Sequence, residues 1–172
     1  MTAAPKLVIR RPNPALFAQE AKAVADLFID ARATSLPKVR RVHTDAEIHA
    51  WMRDVVFPRR SIRIAQLADE IVGFAARDGA WLEHLYVRSG WTSKGIGREL
   101  LDVVINEARL VTPVLRLHTF QCNAGARRFY ERHGFAAVAF GDGADNEEKE
   151  PDIRYHWRRL PELTPGPHPS SG

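Results

Sequence analysis

The sequence contains little that would bind a metal, cross-link the chain or hold it in a membrane. Its 172 residues include one cysteine, Cys122, so an internal disulfide is excluded, and no CxxC or Cys/His cluster suggests zinc. No run approaches the ~20 consecutive apolar residues of a membrane-spanning helix, and residues 1–11 lack the long apolar segment of a secretory signal. These absences favour a soluble cytoplasmic protein with no membrane partner and no metal cofactor.

The chain does contain enough apolar residues for a core, together with an uneven charge. Apolar residues make up 45% and charged residues 27%, which suits one globular domain and argues against global disorder. The net charge is +4, but residues 141–152 hold six acidic side chains against one lysine, so the other 160 residues carry +9. The basic body suits an anionic ligand such as a nucleotide and permits nucleic acid. The acidic segment suits a cationic partner, and a solvated loop is the alternative.

Hydrophobic periodicity predicts a strand, two helices and a three-stranded meander in the first half of the chain. The first strand covers residues 7–10, and the first helix opens at Pro12 and Pro14 and ends at Pro37. Thr44 and Glu47 have the spacing of a capping box, so a second helix begins there and is closed by Pro58. Short turns between strands at 61–67, 71–77 and 81–87 indicate antiparallel pairing. The predicted buried stripe of the second helix is Ile48, Trp51, Met52 and Val55.

The second half predicts a parallel connection. A long helix over about 94–109 separates the strand at 81–87 from a strand at 114–120, and a strand–helix–strand unit favours a parallel crossover. A short helix at 124–133 and strands at 136–140 and 153–160 follow. The predicted fold class is therefore one α/β (α+β) domain over residues 1–160, with a mixed, mostly antiparallel sheet. Residues 161–172 include four prolines and two glycines and are predicted to be a disordered tail.

A glycine-rich loop stands where the long helix begins. Residues 92–98 read Thr-Ser-Lys-Gly-Ile-Gly-Arg. A helix start offers unpaired N–H groups and the positive end of the helix dipole, which together suit a phosphate. Gly95 and Gly97 let a ligand approach the backbone, and Lys94 and Arg98 add positive charge. The loop therefore predicts a phosphate site.

Two familiar phosphate loops do not match this segment. A dinucleotide-binding G-x-G-x-x-G would need glycine where Leu100 stands, and a P-loop would need Lys-Ser/Thr where Ile96 and Gly97 stand. A glycine-rich turn that merely packs the helix closely on the sheet is the structural alternative.

A second motif decides between these alternatives. Residues 123–135 form a capped helix, with Asn123 at the N-cap and Gly134 just after the end. The sequence here resembles the GNAT superfamily of N-acetyltransferases. Residues 92–97 match that family's Q/R-x-x-G-x-G/A loop, except that Thr92 replaces Gln or Arg, and residues 123–135 match its N-x-x-A-x-x-F/Y-Y-x-x-x-G-F segment. The two motifs occur in order, about 30 residues apart.

The resemblance implies a GNAT-like fold, in which two adjacent parallel strands splay apart, and acetyl-CoA as the co-substrate in that gap. The backbone of Leu85 and Val87 would pair with the pantetheine arm, amides of residues 93–98 would hold the pyrophosphate, and Asn123 would contact the coenzyme from the other side. The full set of residues predicted to bind the coenzyme is Leu85, Tyr86, Val87, Thr92, Ser93, Lys94, Gly95, Ile96, Gly97, Arg98, Asn123, Ala126 and Tyr130.

Two residues are predicted to be catalytic. Glu83, expected between Trp81 and Leu85 on one face of its strand, would accept the proton of an acceptor amine, and partial burial there would strengthen it as a base. A surface ion pair is the alternative role for Glu83, and His84 is the alternative base, facing the other way unless the strand bulges. Tyr130, implied by the resemblance to lie near the sulfur, would protonate the departing thiolate. Direct transfer is the family norm, so Cys122 is predicted to be a buried small hydrophobe.

The acceptor is the open question at this stage. The acidic segment joins the last two strands, which in this fold border the acceptor site, so Glu147 and Glu148 are predicted to attract an ammonium group. The leading prediction is direct transfer to a small-molecule or amino-acid-like amine by a monomer or homodimer. Acetylation of a protein N-terminus or lysine, and a non-catalytic acyl-CoA sensor, are the alternatives. A nucleic-acid partner is disfavoured because no recognised motif accompanies the basic residues.

Overall fold

The computed structural model describes residues 5–158, whose strands form one sheet in the order β1-β2-β3-β4-β5-β7-β6. All neighbouring strands are antiparallel except β4 and β5. The predicted mixed sheet with one central parallel pair is therefore confirmed. The strands are β1 (Leu7–Arg10), β2 (Ser61–Leu67), β3 (Glu70–Asp78), β4 (Trp81–Val87), β5 (Val114–Phe120), β6 (Ala136–Gly141) and β7 (Asp152–Arg158).

β4 and β5 pair only near their beginnings. Trp81 pairs with Arg116, and the Arg116 amide donates to the carbonyl of Ala80 at 2.8 Å. Beyond this point β4 and β5 are not paired in the described structure, whereas β5 pairs with β7 along the whole length of β5. β4 and β5 thus diverge, and the backbone N–H and C=O groups of β4 that face β5 are available to another hydrogen-bonding partner. This gap determines where the site lies.

Helices cover both faces of the sheet and divide the core into two clusters. α1 (Phe17–Ser35), α2 (Asp45–Trp51) and α3 (Phe57–Arg59) belong to one face, where residues such as Leu27, Met52 and Phe74 are fully buried. α4 (Ile96–Ala108) and α5 (Ala124–Arg132) belong to the other, where Leu100 and Tyr155 are fully buried. No helix within residues 5–158 is both long and apolar enough to cross a membrane.

The second predicted helix differs from expectation because it contains a π-helical turn. The capping box of Thr44 and Glu47 is present, but Met52–Val56 is π-helical. The wider turn inserts a residue, so Val56, at 1% exposure, takes the buried position predicted for Val55. Pro58 does not close the helix either, since it lies inside α3.

The remaining boundaries agree with the predictions to within two residues, except that a 3-10 turn over Pro14–Leu16 precedes α1, which begins at Phe17. α4 begins at Ile96 rather than at 94, because Gly95 adopts a left-handed φ of 83° and acts as the N-cap.

At the start of the chain, Glu20 is only 3% exposed and accepts hydrogen bonds from Arg10 Nη2 at 2.6 Å and from the Asn13 amide at 2.8 Å. These bonds join β1 to the beginning of α1. The predicted tail at 161–172 lies outside the described residues.

Candidate active site

A groove of about 730 Å³ runs from the end of β4 to the space between the N-terminal ends of α4 and α5. It is lined by all the residues predicted to bind the coenzyme except Lys94 and Ile96. The Lys94 ammonium lies 4.5 Å from the centre of the Trp91 ring. Ile96 is 4% exposed and packs in the core, so its backbone amide is the part that can face a ligand. The structure thus brings residues from two distant motifs to one concave surface.

The loop before α4 is shaped by its two glycines in different ways. Gly95 has a φ of 83°, which side chains disfavour, and the N-terminus of α4 has no side-chain cap. The first amides of α4 are therefore available to an anion. A Cβ at Gly97 would meet the Phe129 ring at 3.5 Å, an ordinary contact. This geometry explains why glycine is needed at the first position, whereas alanine also fits at the second.

Two cations that line the groove were not singled out from the sequence. Arg128 and Arg132 lie one turn apart on α5 and face the same groove as Arg98. Their i, i+4 spacing beside the second motif was the available signal. Arg98 has a side chain that is 72% exposed. Three arginines therefore border one groove, as expected of a site for a polyanion.

A second cavity, of about 270 Å³, occupies the gap between β4 and β5 and adjoins the groove. Leu85, Asn123 and Tyr130 line both spaces. The Tyr130 ring is 8% exposed and packs edge-on against Phe129 and Phe135, at centroid distances of 5.2 and 5.4 Å. Burial raises the pKa of Tyr130, and the neighbouring hydroxyl of Tyr86 raises it further. The phenol therefore stays protonated and is a hydrogen-bond donor in the gap.

β4 bulges at Glu83, which changes the direction of its side chains. Consecutive residues of β3 pair with His84 and Leu82, so Glu83 is the extra residue. Leu82 packs in the same core cluster as Leu85, and adjacent side chains of a strand alternate in direction. The extra residue interrupts this alternation at Glu83, and Glu83 and Leu85 both line the gap.

Glu83 forms an ion pair, the alternative role considered for it, and it also lines the gap. Its side chain is 30% exposed and lines the gap that also contains Tyr130. Its Oε2 accepts a hydrogen bond from Arg60 Nε at 2.6 Å. The carboxylate is thus held in a fixed position by an ion pair at the edge of the gap.

His84 lies among aromatic rings on the α1 side of the sheet. Its ring centre is 5.2 Å from that of Trp51 and 5.7 Å from that of Phe28, both edge-on. Burial, followed by the charges of Arg32 and Arg60, lowers the pKa of His84 to about 4. His84 is therefore neutral at physiological pH.

These rings form one wall of a third cavity, which we call the aromatic chamber, of about 550 Å³. It lies between α1, the α1–α2 connection, α2 and the loop between β6 and β7. From that loop, Glu148 lines both the chamber and the gap, and its side chain is 18% exposed. Glu147 also lines the chamber, but its side chain is 69% exposed and contacts His43 Nε2 at 2.7 Å. The sequence did not single out the residues of α1 and α2 that complete the chamber.

The boundary between the chamber and the gap is an ion pair. Arg32, on α1, bonds to Glu148. The Arg32 guanidinium also lies 5.7 Å from the centre of the Phe120 ring, at the end of β5. Because Phe120 lines the gap and Arg32 lines the chamber, this pair stands where the two cavities meet.

Cys122 is exposed rather than buried as predicted. It directly precedes the N-cap of α5, in the turn after β5, and is not among the residues that line the three cavities. Partial burial raises the pKa of the Cys122 thiol, and the nearby Glu150 raises it further. Both its place and its protonation state are unsuited to a covalent acetyl-cysteine route.

Known structures share this architecture. A GCN5-related N-acetyltransferase from Rhodopseudomonas palustris has a TM-score of 0.72 and 17% identity, covering 92% of this chain and 99% of its own. YjaB from Escherichia coli has a TM-score of 0.70 and 19% identity, covering 88% and 97%. The putative acetyltransferase yncA from Salmonella typhimurium, solved with acetyl-CoA, has a TM-score of 0.68 and 17% identity, covering 95% and 99%. No curated protein matches the sequence.

At these identities the structures establish the fold alone, and the sequence match establishes the family. The model of the acetyltransferase (GNAT) family matches residues 25–135, which is more than half of the chain. That range includes the glycine-rich loop, the splayed strands and the whole Asn123–Phe135 motif. This chain therefore belongs to the GNAT family of acetyltransferases, and the predicted acetyl-CoA-dependent N-acetyltransferase is confirmed at the level of the family.

Proposed function

We propose that this protein transfers the acetyl group of acetyl-CoA directly to the primary amine of a small molecule. The observation that carries the proposal is the continuity of three spaces at the splayed strands. The groove and the gap share Leu85, Asn123 and Tyr130, and the gap and the chamber share Glu148. A coenzyme entering from the groove and an amine entering from the chamber would therefore meet in the gap.

The coenzyme would be held mainly by backbone groups. The pantetheine arm would pair with Leu85 and Val87 as an added strand would, since no described strand pairs with β4 at these residues on the side opposite β3. Amides of residues 93–98 would bind the pyrophosphate at the uncapped start of α4. Arg98, with the two arginines of α5, would neutralise the remaining phosphate charge. Asn123 is less free than expected, because its Oδ1 already accepts the Ala126 amide at 3.1 Å.

The amine must lose a proton before it can attack. A lysine-like amine has a pKa of about 10.4, so its neutral form at pH 7 costs roughly 4–5 kcal/mol. Glu83 would accept that proton through a water molecule, and we favour it over His84 because it lines the same gap as Tyr130. The nitrogen lone pair then forms a bond to the thioester carbon. A backbone N–H near Leu85 would stabilise the charge on the acetyl oxygen.

As the C–S bond breaks, the departing thiolate accepts a hydrogen bond and finally a proton from Tyr130. The attacking nitrogen gives up its second proton to solvent, and Tyr130 recovers its own from solvent. A coenzyme thiol with the pKa of cysteine, about 8.5, is more acidic than a phenol whose pKa lies above about 10. Full transfer from Tyr130 is therefore uphill, and donation of a hydrogen bond as the C–S bond breaks is its main contribution. The products are the N-acetyl amine and free coenzyme A.

Of the two acidic residues predicted at the acceptor, Glu148 is the better placed. It is largely buried where the chamber meets the gap, whereas Glu147 lies exposed at the chamber mouth. Replacing Glu148 with Gln should raise the acceptor KM roughly 10-fold or more, as expected for a hydrogen bond to a charged group. Glu147→Gln is the matched comparison and should change KM less than about 3-fold. Equal effects would contradict the placement.

The first experiment measures coenzyme binding and the second measures chemistry. Calorimetry with coenzyme A should show saturable binding, and coenzyme at 100 times Kd should stabilise the fold by about 2.7 kcal/mol. Release of free thiol from acetyl-CoA should then depend on an added amine. Binding without amine-dependent thiol release, over a broad panel of small amines and peptides, would instead favour the acyl-CoA sensor. Acetylation of peptides alone would favour the protein acetyltransferase.

A further inference from the structure

The residues that line the aromatic chamber suit a particular class of amine. Phe28, Trp51 and His84 stand with their ring centres 5.2–6.0 Å apart and strongly tilted to one another. Ile48 and Val42 extend this surface. An aromatic ring offered to such a wall gains edge-to-face contacts as well as apolar burial. The wall therefore suits a flat apolar body.

The charged groups of the chamber are already matched to one another. Arg32 bonds to Glu148, Arg41 bonds to Asp45, and His43 contacts Glu147. The remaining acid that lines the chamber, Glu47, bonds to the backbone and hydroxyl of Thr44 in the capping box. A substrate carboxylate would have to share one of these cations with its acid, whereas an ammonium group can bind Glu148 Oε2, to which no described residue donates, because Arg32 bonds Oε1. An acceptor with a free carboxylate is therefore disfavoured.

His84 adds a neutral polar group to the aromatic wall. Its depressed pKa follows from burial and from nearby arginines, with no hydrogen bond contributing among the described residues. A neutral imidazole does not repel an ammonium group and presents a ring to stack against. Among the described residues that line the chamber, Glu148 supplies the one carboxylate that also lines the gap.

We propose that the acceptor is an arylalkylamine: an aromatic ring that packs against Phe28, Trp51 and His84, joined to a primary amine that reaches Glu148, with no free carboxylate. The chamber volume of about 550 Å³ lies within the range of small-molecule sites. This inference rests on the proposed function, because it names the substrate of that same site. It narrows the acceptor from any small amine to one class and excludes free α-amino acids.

The test compares matched amines with the intact protein. Thiol release from acetyl-CoA is measured with 2-phenylethylamine and tryptamine, with their carboxylated counterparts phenylalanine and tryptophan, with putrescine and with a short peptide. We expect kcat/KM for the two arylalkylamines to exceed that for every other amine by roughly 10- to 100-fold, the value of burying one aromatic side chain. A higher kcat/KM for the amino acids, the diamine or the peptide overturns the inference and leaves acetyl transfer intact.

Variants of Trp51 connect that preference to the chamber. Trp51→Leu should lower kcat/KM for tryptamine about 10-fold or more and change that for putrescine much less, whereas Trp51→Phe should keep most of the preference. Trp157→Leu is the control, since Trp157 packs beside Arg109 and does not line the chamber. Retention of the coenzyme-induced melting shift shows that each variant is folded. If Trp51→Leu lowers kcat/KM equally for tryptamine and putrescine, the inference is overturned.

Direct binding separates the two proposals. Calorimetry with tryptamine and the coenzyme-bound protein should show saturable binding that Trp51→Leu weakens. If tryptamine binds in this way but no amine in the panel releases thiol, the proposed function fails and the chamber assignment stands. If tryptamine neither binds nor is acetylated, the assignment of an arylalkylamine fails, whatever other amine proves to be a substrate.

Discussion

Removal of the Tyr130 hydroxyl is the most informative single change in this protein. The ring is 8% exposed and its packing against Phe129 and Phe135 does not involve the oxygen. Among the described residues, no hydrogen bond contributes to the perturbation of the Tyr130 pKa. Phenylalanine would therefore keep the packing, and Tyr130→Phe should change the free energy of unfolding by less than about 1 kcal/mol.

The effect on catalysis should be much larger. Tyr130 lines the gap, where the thiolate would form under the proposed function, and a hydrogen bond to a charged group contributes about 1.5–3 kcal/mol. Because each 1.36 kcal/mol is a factor of ten in rate, Tyr130→Phe should lower kcat by roughly 10- to 150-fold. The coenzyme affinity should change little, since the thioester ground state carries no charge at sulfur.

The assay is steady-state thiol release at saturating acetyl-CoA, with coenzyme Kd from calorimetry. Tyr155→Phe is the matched control. Tyr155 is a fully buried tyrosine whose hydroxyl donates to Glu131 Oε1 at 2.7 Å, away from the gap. That variant should lose stability and keep kcat. A kcat within about 3-fold of wild type for Tyr130→Phe would refute the assignment of Tyr130 as the donor to the leaving group.

Three further outcomes follow from the geometry. Gly95→Ala should weaken coenzyme A binding by about 10-fold or more in calorimetry. A side chain at its φ of 83° costs roughly 1–2 kcal/mol, so the loop would relax away from the phosphates. Gly97→Ala should lose far less affinity, since a Cβ at Gly97 makes only ordinary contacts. Glu20→Ala should destabilise the protein by about 2–4 kcal/mol, because the Arg10 guanidinium loses its carboxylate partner. The Tm in a thermal melt should then fall by roughly 4–16 °C, and a fall of less than about 2 °C would contradict this prediction. Because the pKa of His84 is lowered from 6.5 to about 4, the unfolded chain takes up its proton first as the pH falls. Stability should therefore drop between about pH 6.5 and 4 by up to about 3 kcal/mol, and His84→Phe should remove that part of the slope in melts recorded across this range; identical slopes would count against the burial of the imidazole.

Much of the fold could be predicted because local signals and tertiary structure agree. The residues of β1, β4 and β5 were assigned as observed, since apolar runs bounded by turns permit few alternatives. The capping box at Thr44 and the N-cap at Asn123 also formed as expected, because each needs only backbone amides within the next three residues. Features that depend on a partner element were missed. The π-helical turn over Met52–Val56 and the bulge at Glu83 both insert one residue, and neither has a signature in the periodicity.

The same division holds for the site. The two motifs were predicted to form one surface, and they line one groove, because a helix N-terminus with glycines is made by the local chain itself. Of the chamber, the sequence indicated Glu147, Glu148 and, as an alternative base, His84. It could not place Phe28 and Trp51 beside them, because these residues come from separate elements and have no common spacing in the chain.

The sequence by itself determined the order of elements, the glycine-rich loop and the family, since each of these follows from neighbouring residues. Only the tertiary structure decided which side chains line the gap, that β4 carries an extra residue at Glu83, and that the gap adjoins an aromatic chamber as well as the groove. The physical reason is that these properties depend on the divergence of β4 from β5 and on one extra residue in a strand. Both are set by how whole elements pack, and no local pattern of side chains records them.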